Sequence, residues 1–176
     1  MTRASDTSRA LLQILWHFYW KLPKPEWEQV EPGKGVSTGK PFLEIGDHAL
    51  EMYLDCPSGW QVVDLGAEWK KMTGLPFVFA LWILNRTLPE PQKSFLKELG
   101  AQLIKTREKL PSQYLRLCTE YPCKKFRPED IVNYWQNMDY GLNSNQLASL
   151  TIFGRYLAKL GLIPGTPALD FFDIYT

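Results

Sequence analysis

The chain has 176 residues, 45% hydrophobic, 14% aromatic and 22% charged. This is the balance of a globular chain and excludes the disordered and collagen-like classes. A formal net charge of +1, from 20 Lys and Arg against 19 Asp and Glu, gives nucleic-acid binding no electrostatic support.

The opening MTRASDTSRALLQIL lacks the basic start, apolar run and small-residue cleavage site of a secretory signal. Ser5, Asp6, Thr7 and Ser8 precede an apolar periodic run, which is a helix-start signal. The spacing predicts a helix over 7–19 that stops before Pro23. Residues 24–40 hold Pro25, Pro32, Gly33, Gly35 and Gly39 and read as loop, with a short strand near 27–30. Residues 41–45 read as an apolar strand ended by Gly46 and Asp47, and 48–53 as a helical turn or two. A strand over 60–65 and a short helix over 67–72 follow, with Gly74 as the helix stop. The longest apolar run, 75–84, is too short to span a bilayer, and 76–84 reads as a fully buried strand.

The second half changes character. Residues 91–109 place Phe95, Leu96, Leu99, Leu103 and Ile104 on one helical face. Pro128, Glu129 and Asp130 start a helix that leads into 131–138. Asn143 and Ser144 cap a last helix, ended by Gly161 and Pro164, and 171–175 forms a short apolar tail. Strands and helices first, then nearly all helix, indicate an α/β fold with a helical cover. The expected strands are few, about four, for an ordinary sheet.

Four constellations bear on chemistry. The hydroxyls of Ser5, Thr7 and Ser8 at a helix N-terminus suit a carboxylate or phosphate, and serve equally as plain caps. Gly46 and Asp47 stand where ligands gather at the carboxyl ends of strands, or simply form a turn. In 64–82, Phe77 and Phe79 alternate with Val78 and Ala80, so one face can line a pocket while the other packs; periodicity alone favours core. His17 is expected to be a satisfied or surface histidine, and His48 has Asp47 beside it as a carboxylate partner; neither carries a catalytic assignment. Lys70, Lys71, Lys124 and Lys125 read as solvated surface. Cys56, Cys118 and Cys123 are odd in number and irregular in spacing, which argues against a disulfide framework and for a reducing compartment. Two histidines supply no zinc-ligand spacing, and no P-loop, dinucleotide glycine pattern or serine-nucleophile elbow occurs.

Residues 64–82, DLGAEWKKMTGLPFVFALW, resemble the segment D-L-G-x-x-W-x-x-x-T-G-L-P-F-V-F-A-x-W of the chorismate dehydratases of the futalosine menaquinone pathway. Three weaker similarities follow in the right order: SDTSRALL at 5–12, IGDHAL at 45–50 with His48 where an arginine is common, and LGLIP at 160–164. The resemblance covers essentially the whole chain. It implies a cytoplasmic enzyme with the two-lobed fold of type II periplasmic binding proteins, here incomplete at the N-terminus and helix-rich in its second half. Residues 1–75 would form lobe two, and 76–176 the return to lobe one.

The implied reaction converts chorismate to 3-[(1-carboxyvinyl)oxy]benzoate and water, with no cofactor or metal. The resemblance implies that Ser5, Thr7 and Ser8 anchor a substrate carboxylate and that Gly46 and Asp47 line the cleft. The family's reacting groups, an asparagine of an early S-Y-L-N-x-x-P-like motif and a serine of a crossing loop, match no position here. The isolated chain is therefore expected to be inactive or nearly so, and sheet strands made to pair with that early segment would leave open edges. Two alternatives stay open: a non-catalytic module that binds a small carboxylate, and the sister 1,4-dihydroxy-6-naphthoate synthase. No sequence feature sets the oligomeric state, and no membrane or nucleic-acid partner is indicated.

Overall fold

The computed structural model describes residues 5–85, 87–120 and 125–172. The first helix, α1 (Asp6–Ile14), begins where expected because Ser5 adopts an extended backbone and its hydroxyl accepts from the Ser8 amide. Asp6 in the first turn complements the helix dipole. The helix then widens into a π turn over Leu15–Tyr19. Its aromatic residues Phe18 and Tyr19, with Trp20 just beyond, all pack against the core. Lys21, at a φ of 52°, turns the chain away before Pro23.

Helix α2 (Gly46–Leu54) starts at the residues expected to end a strand. Helix α3 (Leu65–Thr73) is capped by Asp64, whose carboxylate accepts from the Ala67 amide at 2.9 Å. It stops at Gly74, whose φ of 76° is the left-handed conformation of a glycine C-cap. Then come α4 (Glu90–Lys109), α5 (Tyr114–Glu120), α6 (Pro128–Gln136) and α7 (Ser144–Lys159). Asn143 and Gln146 form a reciprocal capping box at the start of α7. Gly161, at a φ of 70°, follows its end.

The chain forms two compact units. The first comprises 1–81 and 142–168, the second 82–141 and 169–176. In the first, Leu11, Ile14, Leu15 and Trp69 are fully buried, and Leu65, Met72, Phe77, Ile152, Phe153, Tyr156, Leu157 and Leu160 pack around them. Helices α1, α3 and α7 therefore share one core. The segment after α7 folds back on it: a Cβ at Gly154 would lie 3.3 Å from Pro167. In the second unit, Tyr114, Cys118 and Ile131 are buried. The Tyr114 hydroxyl donates to the Trp135 carbonyl at 3.3 Å, which ties α5 to α6.

The strands are the main correction. The stretches 27–30, 41–45, 60–64 and 76–84 are irregular, and no β-strand occurs among the described residues. An apolar run signals burial or a wish for it, but a strand exists only when its backbone finds a partner ladder. The run at 76–84 is not fully buried either: Phe79 is 57%, Trp82 80% and Ile83 87% exposed. Pro76, Phe77 and Val78 are half-buried, with Phe77 packed on Trp69 and Phe153 at centroid distances of 5.5 and 5.0 Å. Residues 1–4 lie outside the described residues, as do Cys123, Lys124 and the end of the tail at 173–176.

Candidate functional site

The N-terminus of α1 is built by its own sequence. The Ser5 hydroxyl accepts from the Ser8 amide at 3.1 Å and donates to the Ser8 hydroxyl at 3.0 Å. Ser8 is buried and Thr7 half-buried on the same turn. Arg9 pairs with Asp6 at 3.0 Å, which sets a guanidinium beside the first turn. This end thus carries the hydroxyls of Ser5, Thr7 and Ser8 at a helix N-terminus, with Ser5 and Ser8 bonded to each other and the guanidinium neutralised by the Asp6 carboxylate.

Gly46 and Asp47 stand in a different local structure from the one read in the sequence. They open α2 rather than end a strand, and both are exposed. Gly46 has a φ of 65°, which accounts for glycine there, and Ile45 supplies no side-chain cap. Asp47 gives the acidic charge of the first turn. Among the described residues, no hydrogen bond or ion pair links this pair to Ser5, Thr7 or Ser8.

His48 is partnered by Glu51 at 3.2 Å, one helical turn on, and not by Asp47. The loop at Gly33 closes over its ring: a Cβ on Gly33 would lie 3.0 Å from the imidazole. His17 is exposed, with its ring edge-on to Phe18. Cys56 is exposed and Cys118 buried, both as free thiols. No cluster of three or more His, Cys, Asp or Glu side chains suited to a metal occurs among the described residues, nor does a helix long and apolar enough to cross a membrane.

Two polar contacts in the first unit were not foreseen. The Trp69 indole donates to Ser149 at 2.9 Å, both closed to solvent. Glu68 accepts from Lys71 at 2.6 Å and from the Trp20 indole at 3.2 Å. The Lys71 hydrogen bond first, and Trp20 second, hold its carboxyl below the ordinary carboxylate range. The i, i+3 spacing of Glu68 and Lys71 signals their pairing, but nothing in the sequence points from residue 69 to residue 149.

A family model described as menaquinone biosynthesis matches residues 1–159. The chain belongs to this menaquinone biosynthesis family. Over 72 residues it is also 40% identical to a chorismate dehydratase of Campylobacter jejuni subsp. jejuni serotype O:23/36 (strain 81-176). That match covers 41% of this chain and 29% of the relative, so it spans under a third of the relative's length.

The structure gives the segment 64–82, which carries the resemblance, a physical reading. Asp64 caps α3, Trp69 centres the core, and Thr73 closes the last turn by donating to the Trp69 carbonyl at 2.8 Å. Gly66 lets the Phe79 ring approach: a Cβ there would sit 3.3 Å from it.

Proposed function

We propose that the protein is a chorismate dehydratase, converting chorismate to 3-[(1-carboxyvinyl)oxy]benzoate and water in menaquinone biosynthesis. The observation that carries this reading is the family match over 1–159, and the identity to the C. jejuni chorismate dehydratase gives it a reaction. In this reaction the ring gives up a proton and its hydroxyl leaves, the two departing as water. The ring becomes aromatic, so the driving force lies in the substrate. The protein has to hold two carboxylates, place a base, assist hydroxide departure and exclude water.

On this reading Ser5, Thr7 and Ser8 anchor one carboxylate at the α1 N-terminus, and Gly46 and Asp47 line the cleft. The capped, hydroxyl-rich first turn supports the assignment. No cofactor enters the scheme, and the site of action is the cytoplasm. The fold is that of a two-lobed α/β binding protein, with 1–75 in lobe two and 76–176 returning to lobe one. The break between compact units at Leu81 and Trp82 falls inside the apolar run 75–84, beyond the division at 75 and 76. Helix α7 departs from this division, since it packs with α1 and α3 in one unit.

The test is to incubate the purified protein separately with chorismate and with the cyclic futalosine-derived intermediate, and to follow products by mass. Because no position matches the family's reacting asparagine and serine, these 176 residues alone are expected to turn over little or no chorismate, and loss of water from chorismate is the expected result for the gene's full product. Formation of 1,4-dihydroxy-6-naphthoate from the second compound would overturn it in favour of the sister enzyme. Saturable chorismate binding without turnover by that full product would overturn it in favour of a binding module.

A further inference from the structure

No further inference is drawn: the strongest candidate, the exposed apolar surface of the irregular segment 75–81 with Phe79 and Leu81 open to solvent, is an unpartnered face, and nothing in the structure shows what covers it.

Discussion

The Trp69 indole N–H donates to the Ser149 hydroxyl at 2.9 Å, eighty positions away in the sequence, with both side chains closed to solvent. This bond joins α3 to α7 at the centre of the first unit. A buried donor stripped of its partner costs about 1–3 kcal/mol. Ser149→Ala is therefore expected to lower stability by about that amount, measured by urea unfolding. Trp69→Phe strands the hydroxyl and also removes ring volume, so it is expected to cost more. The double variant should lose less than the sum of the two, because the residues share one bond. Strict additivity would show that the bond contributes nothing.

Gly66 and Gly74 both belong to the segment that resembles the chorismate dehydratases, yet they serve different physical ends. Gly74 has nothing within 4 Å of a built Cβ but a φ of +76°, so its constraint is backbone conformation alone. Gly74→Ala is expected to cost about 1–2 kcal/mol. Gly66 has no such φ and lies inside α3, where alanine favours the helix by about 1 kcal/mol. Its Cβ would meet the Asp64 carboxylate at 3.2 Å and the Phe79 ring at 3.3 Å. Phe79 is 57% exposed and can swing aside. Gly66→Ala is thus expected to stay within about 0.5 kcal/mol of the parent. Thermal unfolding of the two variants side by side checks the contrast, and an equal loss in both would refute it.

These positions also show what the sequence could carry. Helix ends are local events, so Ser5 and Asn143 announced the starts of α1 and α7, and Gly74 the end of α3, through residue types that act on their own backbone, whereas the Asp64 cap was hidden in an expected strand. Helix α5 escaped because it is one short run with no cap residue or long apolar period to mark it. The strands failed for the opposite reason. Pairing is a property of two segments, and the apolar run at 76–84 specifies hydrophobicity without naming a partner. At the candidate site, Ser5 was legible because it caps the helix that holds Ser8 in its first turn, whereas Gly46 and Asp47 were placed at a strand end that does not form. The placing of Glu51 rather than Asp47 beside His48 follows from α2 being helical from its first residue, since i, i+3 neighbours share a face and adjacent residues do not.

Glu68 supplies a pH dependence with a defined sign. Lys71 and then Trp20 lower its folded-state pKa below the ordinary glutamate value. The stabilisation is therefore complete above the unfolded-state pKa and is lost as pH falls through the lower folded value. Lys71 is shifted up by the same hydrogen bond, so its share is present below the unfolded lysine pKa and is lost as pH rises through the folded one. Glu68→Gln is expected to be less stable than the parent at neutral pH, with the gap closing in acid. Chemical unfolding of both proteins along a pH series measures this. A gap that stays constant into strong acid would show that the Glu68 charge contributes no stability.

Ser5 separates helix capping from anion binding. Both roles use the same hydroxyl, so Ser5→Ala damages both: it removes the acceptor for the Ser8 amide, at a cost of about 1 kcal/mol, and a donor for the substrate. Ser5→Asp does not. Aspartate caps a helix about as well as serine, so the stability of α1 is expected to hold within about 0.5 kcal/mol. The new carboxylate would face the carboxylate that the site is proposed to anchor, and like charges at one helix end repel. Chorismate affinity is then expected to fall at least tenfold, about 1.4 kcal/mol. Calorimetric titration with chorismate, paired with urea unfolding of the same samples, reads the two effects apart. If Ser5→Asp keeps both its stability and its affinity for chorismate, the first turn of α1 is only a cap and the carboxylate binds elsewhere.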